Sequence, residues 1–175
     1  MNIVIGHVAL IQRTKKQDFV LRVIHELRKS GHDVIGLFPG ECREPEFMYE
    51  LEALVKELDL TDSVLFLGRR NDIPDLLKLV DVLMIPSFEG FPLAGLEAAS
   101  AGVPVAACNV AGAKEFVEVS NGGCVFEENN INNAIEAIIE CCRNNLLVIE
   151  TREFAKQSSV EAYQTRIRSC FASIK

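Results

Sequence analysis

Short apolar runs rich in β-branched residues alternate along the chain with longer stretches whose apolar positions recur every three to four residues. "NIVIGHVAL" (Asn2 to Leu10) predicts a strand, and "QDFVLRVIHELRKSG" (Gln17 to Gly31) a helix. Phe19, Val20, Val23, Ile24 and Leu27 share one face of that helix, and Gly31 is its stop. A strand over His32 to Phe38, a helix over Glu46 to Leu60 and a strand over Ser63 to Gly68 follow. Asp72 to Val80 predicts a short helix with Pro74 in its first turn, where proline is tolerated. "VLMIPS", "VPVAAC" and "GCVF" predict three more strands, with helices at "PLAGLEAASAG", "AKEFVE" and "INNAIEAIIECCRNN". The tail, 146–175, reads as one or two helices. Continuous apolar strands separated by helices predict a parallel sheet covered on both faces. The fold class is therefore α/β: a doubly wound, Rossmann-like domain of about six strands over 1–175, with ligands bound at the carboxyl ends of the strands.

Composition narrows the function classes. The net charge of −7 argues against a nucleic-acid partner, whose affinity comes mostly from cationic contacts to phosphate. The N-terminus lacks the basic region of a secretory signal, and no apolar run approaches the roughly 20 residues that span a bilayer. A soluble, cytoplasmic protein is expected, able to rest peripherally on a membrane. The six cysteines show no CxxC pair and no zinc-like spacing with histidine, which predicts reduced thiols. No metal site is expected.

The candidate chemistry lies in "PSFEGFPLAGLEAASAGVPVAA", Pro86 to Ala107. A strand ends at Pro86-Ser87, and a helix begins near Pro92, a residue favoured at the first helical position. Phe88 to Phe91 thus links a strand end to a helix N-terminus, where free N–H groups suit a phosphate. Gly90 lets backbone approach such a ligand closely. Glu97 is the only charged residue between Gly90 and Ala113. Its small, apolar neighbours read as a tightly packed helix, so its carboxylate needs partners. Two readings stay open: a basic side chain elsewhere, or the hydroxyls of a ligand such as a ribose. Glu89 reads as a ligand contact or as a solvated loop residue. His7 reads as a hydrogen-bonded structural histidine. Arg69 and Arg70 follow a strand end and either line a nucleotide base site or lie in a solvated loop.

"PSFEGFPLAGLEAASAGVPVAACNVAGAKE" resembles the E-x7-E region of GT-B fold, GT4-type retaining glycosyltransferases (glycosyl transferases group 1). Glu89 and Glu97 have the E-x7-E spacing. Gly90-Phe91-Pro92, "LEA" at Leu96 to Ala98, "AGVPV" at Ala101 to Val105, and Gly112 with Glu115 fit the framework. "GHVALIQRTKKQDF", "FLGRRNDIPDLL" and "NGGCVF" extend the resemblance along the chain. The resemblance implies the C-terminal, donor-binding half of such an enzyme. Glu97 would hold the ribose of a UDP-, GDP- or ADP-sugar and Glu89 the donor sugar. Amides near Gly90, Phe91, Pro92 and Leu93 would touch sugar and diphosphate, with Lys15 on the diphosphate. It implies metal-independent transfer, in polysaccharide biosynthesis, to an acceptor held by an N-terminal domain or partner subunit, and no activity from the isolated domain.

The chain departs from that pattern in three places. Leu10 stands at the position of a diphosphate-binding arginine, with Arg13 and Lys16 nearby as substitutes. Phe38-Pro39-Gly40 replaces a glycine-rich turn. Ala111 replaces the first glycine of "GGxxE". A degenerate binding module without catalysis is the alternative, and a glycosidase using both carboxylates a third.

Overall fold

The computed structural model describes residues 1–159, 162, 164 and 165. The strands are β1 (Asn2–Gly6), β2 (Asp33–Pro39), β3 (Val64–Gly68), β4 (Val82–Ile85), β5 (Val105–Cys108) and β6 (Gly123–Phe126). The helices are α1 (Gln17–Lys29), α2 (Pro45–Glu57), α3 (Ile73–Leu77), α4 (Leu93–Ala101), α5 (Ala111–Ser120), α6 (Ile131–Arg143) and α7 (Asn145–Gln157). All strand pairings are parallel, in the order β3-β2-β1-β4-β5-β6. This is the doubly wound arrangement expected from the alternation of strand and helix.

Every residue of β4 and β5 is buried, as a strand covered on both faces requires. Each fully buried Val, Ile or Leu contributes about 1.5–3 kcal/mol relative to exposure. Helix α1 turns Phe19, Val20, Val23, Ile24 and Leu27 onto the sheet, the face predicted from its periodicity. It ends before Gly31, whose φ of +85° costs an L side chain but not glycine. Helices α1, α2 and α6 form one layer, and α3, α4 and α7 another. Helix α7 is tied down where Thr151 Oγ1 donates to Gly122 O at 3.1 Å and where Phe154 packs edge-on against Phe116. It is the first part of the predicted helical tail, and the rest of that prediction falls largely outside the described residues.

The strand predicted over Asn2 to Leu10 stops at Gly6. The backbone beyond it still follows β2, since His7, Ala9 and Ile11 donate to Leu37, Pro39 and Glu41 at 2.9, 3.2 and 2.9 Å. Gly40 permits this close run. A Cβ there would lie 1.7 Å from Ala9 O. Among the described residues the five cysteines are free thiols.

Candidate functional site

The strand order reverses between β1 and β4. Chains leaving these neighbours diverge and open a crevice at their carboxyl ends. A cavity of about 260 Å³ lies there, lined from the β1 side by His7, Leu10 and Lys15 and from the β4 side by Ser87, Glu89 and Leu93.

The β4 wall is fixed by hydrogen bonds. Buried Ser87 accepts from the Cys108 thiol through its carbonyl at 3.3 Å, and its hydroxyl donates to Glu89 Oε1 at 2.8 Å. Gly112 N donates to Glu89 O at 2.9 Å. A Cβ at Gly112 would sit 2.2 Å from Gly90 O, so this glycine sets how closely the 88–91 loop lies on α5. Nothing among the described residues demands glycine at position 90 itself. The space over it is open, which leaves room for a ligand. Helix α4 starts one residue later than predicted, with Pro92 as its cap accepting from Gly95 and Leu96 at 2.9 and 3.2 Å. Its N-terminus faces the crevice with the positive end of its dipole. Phe88, Phe91 and Leu93 form an apolar rim, each more than half exposed.

The β1 wall carries the cation. A single helical turn, Arg13–Lys15, projects Lys15 back to the cavity, where Nζ meets Glu89 Oε1 at 2.6 Å. Lys15 and Ser87 thus converge on one oxygen of Glu89 and leave Oε2 free of partners among the described residues. The structure brings together Lys15 and Glu89, 74 positions apart in sequence. Ser87, read before only as a strand end, is the residue that completes the cluster. Its place two residues before Glu89 at a strand end was the available signal.

Neither suggested substitute for the arginine missing at Leu10 reaches the cavity. Arg13 donates to Glu50 Oε2 at 2.8 Å with its guanidinium over the Phe47 ring. Lys16 pairs with Glu128 at 2.6 Å. Arg13 is drawn toward α2 and Lys16 toward the loop before α6, where their acidic partners lie. Leu10 is exposed at the cavity mouth.

Glu97 is not enclosed as its neighbours suggested. Only Gly95, Ala98 and Ala99 of α4 are buried, a narrow stripe. Leu93, Glu97 and Ser100 share the opposite, exposed face. The argument from a buried carboxylate therefore fails. Glu97 stands in water without an ion pair among the described residues, one turn beyond Leu93 at the cavity rim. Arg69 and Arg70 line a second hollow of about 250 Å³, which shares Val8, Ala9 and Leu10 with the lining of the first. Arg70 is held by Asp72, Nε to Oδ1 at 2.8 Å, and Arg69 is exposed.

His7 is buried at the cavity floor. Its Nδ1 lies 3.0 Å from Met84 O, and its ring meets Phe38 edge-on. Burial pushes its pKa below the ordinary value, outweighing the Met84 carbonyl that favours the charged ring. The structural reading holds for Nδ1 only. Nε2 is buried and has no hydrogen bond of ordinary geometry among the described residues, with the Lys15 backbone close to the ring.

A family model described as glycosyl transferases group 1 matches residues 2–144. The chain belongs to this family. It is 31% identical over 144 residues to an uncharacterized glycosyltransferase of Haemophilus influenzae, covering 81% of this chain and 40% of that protein. It is 38% identical over 97 residues to an Escherichia coli UDP-Gal:alpha-D-GlcNAc-diphosphoundecaprenol alpha-1,3-galactosyltransferase, covering 55% of this chain and 25% of that one. Among solved structures, HepE of Anabaena in complex with UDP superposes with a TM-score of 0.86 at 25% identity, over 99% of this chain and 49% of that one. The group 1 chain thus spans less than half the length of these relatives. Its fold is that of one half of a GT-B glycosyltransferase.

Proposed function

We propose that this domain binds a nucleoside diphosphate sugar at the β1–β4 crevice, as the donor half of a retaining glycosyltransferase. The observation that carries the reading is the cluster of Lys15, Ser87 and Glu89 at the switch point, beside the N-terminus of α4. Lys15 and the free amides at the start of α4 supply positive charge where a diphosphate would lie, so no divalent ion is required there. Glu89 offers Oε2 to a hydroxyl of the donor sugar. Glu97, one turn out on the same helix face as Leu93, accepts from the ribose hydroxyls. The hollow beside Arg69 and Arg70 takes the base. The UDP bound to HepE and the UDP-sugar named for the Escherichia coli relative make UDP the first donor nucleotide to try. The apolar rim of Phe88, Phe91 and Leu93 is the surface on which an acceptor-binding domain or partner subunit would close. That partner would bring the acceptor and any contact with a membrane. A cytoplasmic site of action fits a nucleotide-activated donor.

Leu10 favours a second reading, a module that binds without catalysis, because it removes a cation from the diphosphate side. Thermal melts in EDTA with UDP, GDP and ADP test the reading. Ligand at 100 times its Kd stabilises the fold by about 2.7 kcal/mol. Glu97→Ala is expected to cut that stabilisation while leaving the unliganded melting temperature unchanged, since its carboxylate is exposed and unpaired. No shift with any nucleotide at millimolar concentration overturns the donor-site reading. A shift that appears only with a divalent ion overturns its metal-free part.

A further inference from the structure

The donor reading gives one lysine two anions to serve. Among the described residues that line the crevice cavity, Lys15 is the only lysine or arginine and Glu89 the only carboxylate. They meet across it, Nζ to Oε1 at 2.6 Å, with side chains 22% and 20% exposed, so a ligand reaches both. Position 10 is leucine, and Arg13 and Lys16 are bound to Glu50 and Glu128, so no second basic side chain of that lining relieves Lys15. The two partners differ in freedom. Glu89 is anchored, since Ser87 donates to its Oε1 at 2.8 Å and Gly112 N to its carbonyl at 2.9 Å. Lys15 reaches it on a flexible four-carbon stem.

One positive charge cannot neutralise both a carboxylate and a diphosphate. A diphosphate that enters the cavity draws Lys15 toward itself. Glu89, held in place by Ser87, is left as a partly buried carboxylate beside a second anion, which is costly. The two forms of a nucleotide meet that cost differently. The hydroxyls of an attached sugar donate to the carboxylate in place of Lys15. An ionised nucleoside diphosphate ends in acceptor oxygens and offers nothing to Glu89. We propose that the Lys15–Glu89 pair selects the sugar conjugate over the free nucleoside diphosphate, so that the spent nucleotide leaves once its sugar has been transferred. This rests on the donor-site reading above and adds to it a choice between donor and product. Leu10 is what makes the choice sharp, because an arginine there would give the diphosphate a cation of its own.

The test is calorimetric titration of the 175-residue chain with UDP, UDP-glucose, UDP-galactose and UDP-N-acetylglucosamine, for the wild type, Glu89→Gln, Lys15→Met and the double variant. Glu89→Gln keeps the side chain's shape and frees Lys15, so affinity for UDP is expected to rise about ten-fold. At least one conjugate is expected to gain less than about two-fold, because its freed lysine is offset by a weaker hold on the sugar. In the Lys15→Met background the UDP gain from Glu89→Gln is expected to vanish. Plain repulsion between Glu89 and the diphosphate predicts the opposite, a gain as large or larger once the lysine is gone. A second measurement needs no variant and decides the matter if Lys15→Met binds too weakly to compare: the carboxyl ¹³C resonance of wild-type Glu89 moves on adding UDP, as its lysine is drawn off. No UDP gain in Glu89→Gln, a gain that persists without Lys15, equal gains for UDP and all conjugates, or an unmoved Glu89 resonance overturns the selection and leaves the donor site standing. A wild-type chain that binds none of the four overturns both.

Discussion

The two walls of the crevice are built on different terms. The β4 wall is held by backbone and small residues: Ser87 between Cys108 and Glu89, and Gly112 beneath Gly90. Its geometry depends on what is absent, namely a Cβ at position 112. The β1 wall is held by side chains at longer reach, with Lys15 crossing to Glu89 and Arg13 and Lys16 drawn off to Glu50 and Glu128. Its cations are shared with acidic neighbours rather than aimed together. The β4 wall therefore defines shape, and the β1 wall tunes charge. Changes in the first should be abrupt, and changes in the second graded.

Gly112→Ala is the sharpest way to break this contrast. The added methyl group meets two backbone carbonyl oxygens, those of Glu89 and Gly90, at 2.8 and 2.2 Å. Backbone cannot swing aside as a flexible side chain does, so the 88–91 loop must lift from α5. The hydrogen bond from Gly112 N to Glu89 O goes with it. UDP-sugar affinity is expected to fall about a hundred-fold, which the loss of about 1.5–3 kcal/mol in hydrogen bonds from the displaced loop to a charged ligand supplies. Titration calorimetry checks it. Unchanged affinity would show that the loop is free to adapt and that the β4 wall does not define shape.

The same contrast explains what the sequence made legible. Strands, helices and the doubly wound parallel class follow from alternation and apolar periodicity, which are local or nearly so. The E-x7-E spacing lies within one loop and one helix, so Glu89 and Glu97 were both visible. The exposure of Glu97 was not. In "LAGLEAASA" nearly every position is small or apolar, and no polar stripe marks which face points outward. Alanines occupy the buried positions 98 and 99 and the half-buried positions 94 and 101. The Lys15–Glu89 pair was hidden for another reason, since it joins the exits of two strands that are neighbours only after the sheet is assembled. The diversion of Arg13 and Lys16 was hidden likewise, because Glu50 and Glu128 come from α2 and the loop before α6.

Leu10→Arg probes the graded wall. Leu10 is exposed at the cavity mouth, so the change leaves the core intact. A guanidinium there adds one charge-assisted contact to a bound diphosphate. UDP affinity should rise about ten-fold at low salt, and the gain should shrink as ionic strength screens it. Titration in about 20 mM and about 300 mM salt, between which the Debye length falls from about 20 to about 6 Å, measures both effects. No gain at either salt would mean that Lys15 and α4 already compensate the diphosphate, or that Arg69 reaches it from the adjoining hollow.

The smallest effect isolates backbone from charge, using one left-handed residue on each wall. Ala111 has φ of +47° and Lys16 has φ of +55°. For an L residue this conformation costs about 1–2 kcal/mol, and glycine escapes it. Glycine also loosens the unfolded chain, which takes back about 0.4–1 kcal/mol. Ala111→Gly should therefore stabilise the domain by about 0.5–1 kcal/mol, read from urea denaturation. Lys16→Gly relieves the same strain but removes the pair with Glu128, an interaction worth about 0–1 kcal/mol at a partly exposed site. Its net change should lie near zero. In 1 M salt the pair is screened, and the two variants should converge on the same gain. Should Lys16→Gly remain the less stable at high salt, its lysine contributes more than charge. The hydrogen bond that Lys16 Nζ donates to Asn129 Oδ1 at 3.1 Å would then be the cause, and the β1 wall would be held by hydrogen bonding as the β4 wall is.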